Sequence, residues 1–458
     1  MNQSALLLIA LAFSVSETAA AEVPSAERED RFTFLTHSET HAQLFRRALL
    51  PGTNGTTVAT ETALPITQYV TLSARDIDAP WRRDSVDIEV ALWGRVHLYD
   101  LTSQDRFDGD VQSANVRQRF GKFALRLGRQ FVAGGAARYA RFDGGDLTVD
   151  LGAGFWAEGY AGFTAMPRWN ERPSYLYLGT ASDSGVRSLA STPAAARDSY
   201  WQAGARVGFM HVRGDAVVSF HEQHEALGLA HRNLGANARY MIADKATLGG
   251  TAILDLDTNR FADASLFVDY FFSRKVDASL EYFHLEPSLL LSRQSVLSVF
   301  TTDAYDEFGG SVRVRPTSSL TLQGLGFANG YSDGEVGGRT ELSASAWVDD
   351  RRLTFVRLAY ARVLAPDNGY NSARASVGRK FGRWLMSTVE AYYYLYDREV
   401  RGARSSSVYA ATLTYRPSPS VSLLGGASLA RTADANVDAQ GQLRLSCDFD
   451  VVRHARGL

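Results

Sequence analysis

From about Thr67 almost to the C-terminus, apolar and polar positions alternate in stretches of about ten residues, separated by short turns or longer polar loops. In residues 85–99, Val86, Ile88, Val90 and Leu92 share one parity, while Asp87, Glu89, Ala91, Trp93, Arg95 and His97 share the other. Strand side chains point alternately to opposite faces, so each stretch predicts a strand with one apolar and one wet surface. The pattern recurs in residues 263–272, 276–282, 341–348, 409–415 and 442–451, where no charge falls on the apolar parity. That matters, because Arg or Lys facing lipid at the membrane midplane costs about 2–4 kcal/mol.

Short, turn-rich connections are expected at residues 121–122, 152–154, 211–214, 243–245, 273–275, 316–319, 349–352 and 382–383. Longer ones are expected at 133–145, 166–198, 222–231, 286–303, 328–338, 364–371 and 398–405, interleaved with the short set. Residues 384–396 supply a ruler: twelve steps at about 3.3 Å, tilted by about 45°, cover roughly 28 Å of membrane normal. Trp384 at one end and Tyr392, Tyr393, Tyr394 and Tyr396 at the other are expected to form interfacial girdles. The predicted fold is all-β: a single transmembrane antiparallel β-barrel of about 20–22 strands, with short periplasmic turns and longer outer loops.

Composition fits this picture. Mean hydropathy is −0.17 and no apolar run reaches about 18 residues, so no transmembrane helix is expected. Half of a barrel's strand positions face water, which keeps the average low. A net charge of −2 without a long basic run argues against nucleic acid as a partner. Residues 5–15 form an apolar segment followed by Ala19, Ala20 and Ala21, which reads as a signal peptide over residues 1–21. An N-terminal extension, periplasmic or lumenal, is expected over 22–64, the barrel over 65–452 and a tail over 453–458. Cys447 is the only cysteine, so no intramolecular disulfide can form.

No enzymatic signature is found, and neither cofactor nor metal is expected. His221, Glu222, Gln223 and His224 miss the zinc-protease spacing by one residue. The informative stretch is residues 116–130. If Gly121 and Lys122 form a two-residue turn, Phe120 pairs with Phe123, Arg119 with Ala124 and Arg117 with Arg126. Like charges opposed across a strand pair need water, so Arg95, Arg117, Arg119 and Arg126 are candidates for a basic lumenal wall, or else they pair with acidic neighbours. Asp263, Asp269, Asp277 and Glu281 form a candidate acidic wall. Two connections, 166–198 and the apolar 286–303, are candidates to narrow the interior; the second is expected to fold inward or pack on the rim, the alternative being an outward-facing partner-binding loop.

Residues 125–130 (Leu-Arg-Leu-Gly-Arg-Gln), followed by Ala140, Arg141, Phe142, Asp143 and Gly144, resemble the strand–loop–strand of Gram-negative outer-membrane porins. In that group Gly-Arg-Gln ends a lumen-lining strand and Arg-Phe-Asp-Gly opens the next element. The match covers about twenty residues, and the chain departs from the group in having its last aromatic, Phe449, followed by nine more residues. The resemblance implies a porin-like channel in the outer membrane of a Gram-negative bacterium, admitting small polar or charged solutes by diffusion. Its expected partners are outer-membrane lipids, the solutes and the barrel-assembly machinery, and an oligomer is compatible with it. The competing expectation is a closed-lumen barrel serving as adhesin or anchor, and after that an outer-membrane hydrolase.

Overall fold

The structure, a computed structural model, describes residues 31–48, 60–78, 85–98, 107–165, 200–225, 228–290, 304–432 and 437–454. The expected signal peptide lies outside them. The first strands are β1 (Arg31–Ala48), β2 (Thr60–Ala63), β3 (Pro65–Asp78), β4 (Ser85–His97) and β5 (Phe107–Phe120). Next come β6 (Phe123–Ala133), β7 (Tyr139–Gly152), β8 (Phe155–Thr164), β9 (Trp201–His211), β10 (Gly214–Glu225) and β11 (Gly228–Ile242). Then follow β12 (Ala246–Asp255), β13 (Arg260–Ser273), β14 (Val276–Leu285), β15 (Tyr305–Val314), β16 (Leu320–Tyr331) and β17 (Val336–Trp347). The last are β18 (Thr354–Leu364), β19 (Tyr370–Phe381), β20 (Leu385–Val400), β21 (Ala403–Ser418), β22 (Val421–Arg431) and β23 (Asp438–His454).

Each strand pairs antiparallel with its neighbour, and β1 closes the ring by pairing with both β3 and β23. The short β2 continues into β3 and pairs with the end of β1, so twenty-three elements make a ring of twenty-two strands. Closure removes the sheet edge, which is what permits a sheet to cross a membrane. All eight expected short turns sit between strands at the expected positions. Several expected long loops are shorter, because the strands run on: β7 begins at Tyr139 and β10 and β11 extend through Glu225 and from Gly228.

Large apolar side chains face outward. Leu266, Leu280, Leu342, Leu358 and Tyr409 are all more than half exposed. Exposed aromatics gather at both ends of the wall. Phe123, Phe155, Tyr240, Phe272, Phe381 and Tyr415 lie by the short turns, and Tyr139, Phe163, Phe261 and Phe308 lie at the opposite ends of their strands. These are the two interfacial girdles of a lipid-facing barrel. The expected tyrosine girdle is corrected in part. Tyr393 points outward, but Tyr392 hydrogen-bonds Glu390 and Tyr396 hydrogen-bonds Ser406. Consecutive strand residues cannot share a face.

The N-terminal extension is also corrected: residues 31–48 are a wall strand with ten residues paired to β3 and fourteen to β23. Its outward parity holds Phe34, Thr36, Ser38, Thr40, Ala42 and Leu44, too many hydroxyls for an apolar pattern. Ser38 and Thr40 are satisfied by the Gln68 side chain from β3.

Candidate functional site

The hairpin β5–β6 forms as its turn dictates. Gly121 adopts φ +60, Phe120 pairs with Phe123, Arg119 with Ala124 and Arg117 with Arg126. The arginines are not a bare basic strip. Arg126 donates to Asp146 of β7 at 2.6 Å, and Arg119 lies 3.3 Å from Asp87 of β4. Arg117 sits in register with Asp87. Arg95 stands apart: it is eight positions along β4 from Asp87, about 26 Å at the strand rise, and donates to Thr67 at 2.9 Å.

The stretch that resembles porins assembles into one cluster with a structural task. The β5–β6 ladder stops at Ala114, where Gly128 takes φ +123. Beyond that point Arg129 grips Asp143 with two bonds of 2.6 and 2.7 Å and reaches Asp110 at 3.2 Å. Arg141 meets the same Asp110 at 2.6 Å. Both guanidinium groups also donate to the Val111 carbonyl. Bidentate, charge-assisted bonds thus replace backbone bonds that the parting strands cannot make.

Inside the wall, residues 134–138 between β6 and β7 fold onto the lumenal face of β10–β13. The Ala136 amide donates to Ser219 at 2.8 Å, Asn233 donates to the Ala136 carbonyl at 3.4 Å, and Arg138 donates to Asp263 at 3.1 Å. Gly235 of β11 makes this approach feasible, since a Cβ there would come within 2.3 Å of the Ala136 nitrogen. Beside this segment Val132, Ala140, Phe142 and Tyr160 are buried, and Phe142 stacks on Tyr160 at 5.6 Å. The sequence reading missed this inward segment. Its one signal was the small-residue run Gly134, Gly135, Ala136 and Ala137, which can lie flat on a wall. The expected narrowing loop 166–198 lies outside the described residues. Of 286–303 only the start is described, where buried Glu286 meets Arg260 at 2.7 Å and a single 3-10 turn follows at Pro287–Leu290.

Among the acidic candidates, Asp263 holds Arg138, and Asp277 holds Arg315 at 2.6 Å and Arg313 at 3.8 Å. Asp269 and Glu281 lie between them in β13 and β14. Counting along the ring, β13 is eight steps from β5 (13 − 5) in a circle of twenty-two. The basic and acidic candidates therefore occupy different sectors. His221 and His224 do not converge. His221 contacts the Tyr160 hydroxyl at 3.1 Å, whereas His224 stacks on Trp201 at 4.2 Å and bonds Glu222.

No protein-family model and no curated protein matches the chain. Solved structures with a similar outline include the P pilus usher (PapC) translocation pore, with a TM-score of 0.47, 8% identity, and 90% of this chain and 99% of that one covered. OccAB4 of Acinetobacter baumannii gives a TM-score of 0.42 and 10% identity over 94% of this chain and 100% of that one. OccK3 (OpdO) of Pseudomonas aeruginosa gives 0.40 and 11% over 91% and 96%. The strand pairing of the chain itself, not these outlines, establishes the architecture. The fold is a transmembrane barrel of the outer-membrane type. What it carries is a matter for its lumen.

Proposed function

We propose that this barrel is a porin-like channel for the passive diffusion of small polar or charged solutes. The observation that supports this reading is the state of the lumenal arginines outside the packed sector. Arg313, Arg339, Arg357, Arg374 and Arg444 keep 36–44% of their side chains exposed. Ionised groups in a filled interior would lose their hydration at a cost of several kcal/mol each, so a wall charged in this way calls for water beside it. In this reading Arg95, Arg117, Arg119 and Arg126 line one side of the path and Asp263, Asp269, Asp277 and Glu281 another. No catalytic role is assigned to the chain.

Single-channel recording of the refolded protein in planar bilayers tests the proposal. Stable ohmic steps are expected, and their absence from correctly folded protein overturns it. Because Arg126 and Arg119 are held by Asp146 and Asp87, Arg117→Ala/Arg126→Ala should lower the anion-to-cation permeability ratio only modestly, by about twofold. The alternative, a closed-lumen adhesin or anchor, is favoured by the inward fold of residues 134–138 and predicts no conductance at all. Twenty-two-stranded barrels that carry a plug are the precedent for this alternative.

A further inference from the structure

The lumenal face of β13–β16 contains a cavity of about 350 Å³, lined by Ser265, Phe267, Asp269, Glu281, Phe283, Glu307 and Phe327 together with wall positions Leu266 and Tyr282. Register explains how it is built. Phe267, Glu281, Gly309, Phe327 and Arg339 occupy successive places in one lateral row across β13–β17. Ser265, Phe283 and Glu307 form the next row. Gly309 shapes the floor: a Cβ there would meet the Phe327 ring at 2.6 Å, so the ring lies down over the backbone.

The charges around it are uneven. Elsewhere in the lumen several carboxylates carry arginine partners, as Asp146 has Arg126, Glu158 has Arg206 and Glu390 has Arg374, whereas Glu89 has only the Ser113 hydroxyl among the described residues. At this cavity Glu307 is held by Arg339 at 2.9 Å, and Arg339 also covers one face of Phe327 at 4.5 Å. Arg313 and Arg315 are drawn to Asp277. Among the described residues, Glu281 has only the Ser279 hydroxyl, at 3.2 Å, and Asp269 has neither a hydrogen bond nor an ion pair. Two carboxylates without an ion-pair partner within 4 Å, Arg313 acting on Asp269 only from beyond that distance, thus stand within a recess walled by phenyl rings, and ring faces attract cations through their quadrupole.

We propose that this recess is a lumenal binding site for a small organic ammonium ion. Its carboxylates supply the counter-charge, and the Phe267 and Phe283 rings supply the apolar, cation-attracting walls. A bare metal ion would need oxygen ligands at all sides, and the rings offer none. The volume is near the lower end of the range for small-molecule sites. The site deepens the channel reading by naming a class of solute, and it rests on that reading for access.

The test uses detergent-solubilised, heat-modifiable barrel titrated with choline chloride by calorimetry, in constant sodium chloride. Saturable binding is expected, about tenfold weaker in Asp269→Asn/Glu281→Gln and several-fold weaker in Phe267→Leu/Phe283→Leu. Absence of saturable choline binding to the wild-type barrel overturns the proposal. So does a wild-type affinity in the carboxamide variant. An unchanged affinity in the leucine variant overturns the aromatic part and leaves a simple acidic patch. Bilayer conductance in potassium chloride is recorded on the same preparation. Binding without conductance refutes the channel and keeps the site, whereas conductance without binding does the reverse.

Discussion

Two arcs of one wall behave differently. In β6–β13 the lumenal side is packed: Val132, Ala140 and Phe142 are almost fully buried, and the segment around Ala136 lies across Ser219 and Gly235. In β14–β23 the lumenal side is a wet lattice of arginines and carboxylates, whose pairs bridge adjacent strands (Arg357–Glu341, Arg374–Glu390) or reach across one strand (Arg339–Glu307). The outer faces of the two arcs are alike, because both meet lipid and both obey the same two-residue period. The difference lies in what the inner parity carries. Small residues admit a segment of the chain, and charged ones admit water.

That contrast predicts unequal costs for removing apolar bulk. Phe142 is 0% exposed and stacked on Tyr160, so Phe142→Ala should lower stability by about 3–5 kcal/mol. Leu325 faces the lumen from β16 and is only half-buried. Leu325→Ala should therefore cost about 1 kcal/mol, since water fills the space. Urea unfolding from lipid vesicles, followed by tryptophan fluorescence, measures both, and equal losses would erase the distinction between the arcs.

The next variant attacks the inward segment directly. Gly235→Val places carbon where the Ala136 nitrogen sits, and overpacking of this kind costs about 1–3 kcal/mol. The relief open to the protein is to release residues 134–138 from the wall. A larger single-channel conductance with retained heat-modifiable mobility is expected. Unchanged conductance at unchanged stability would show that the segment does not narrow the path. A smaller effect should come from the Arg138–Asp263 bridge, whose side chains are 31% and 23% exposed. Asp263→Asn should cost only about 1 kcal/mol, because solvent screens the pair. Additivity with Gly235→Val tests whether both act on one segment. If they do, the double variant loses less than the sum of the two.

How far the sequence foretold this depends on which face carried the signal. The β5–β6 register was legible down to individual pairs because one turn, Gly121 and Lys122, fixes it. The outward apolar parity gave the wall and nearly the strand number. β1 was missed because its outward positions include Thr36, Ser38 and Thr40, and the hydroxyls of the last two are satisfied by Gln68 of β3 in a way no local pattern announces. That the arginines pair with acidic neighbours was an open alternative in the sequence, but the partners themselves, Asp146 for Arg126 and Asp87 for Arg119, were not legible. Strand order gives the neighbour, whereas register gives the contact. The inward segment was illegible for a related reason. Its anchors Ser219 and Gly235 lie more than eighty residues downstream, and nothing in a run of glycine and alanine says what it will rest on.

The smallest effect sharpens the comparison from the open side. Strands in β14–β23 lack lumenal packing, so their turns have a larger share in holding the hairpins. In the turn between β17 and β18, the Leu353 and Thr354 amides donate to the Asp349 carboxylate at 2.8 and 2.6 Å. Those bonds, that of Leu353 foremost, hold the Asp349 carboxyl below its ordinary value of 3.8. A carboxylate with a depressed folded-state pKa contributes stability above its unfolded value and loses that contribution as pH falls through the folded one. Asp349 is half-buried in a turn whose Asp350, Arg351 and Arg352 are exposed, so solvent screens its carboxylate and the whole-barrel stability should barely move. The local signature should be clear, however: the Leu353 and Thr354 amide proton shifts should titrate together in an acid window below the ordinary carboxylate value. In Asp349→Asn the same amides should show no titration in that window. A transition that persists in the variant would assign the turn's acid sensitivity to another group, and would remove turn chemistry as the reason the unpacked arc keeps its hairpins.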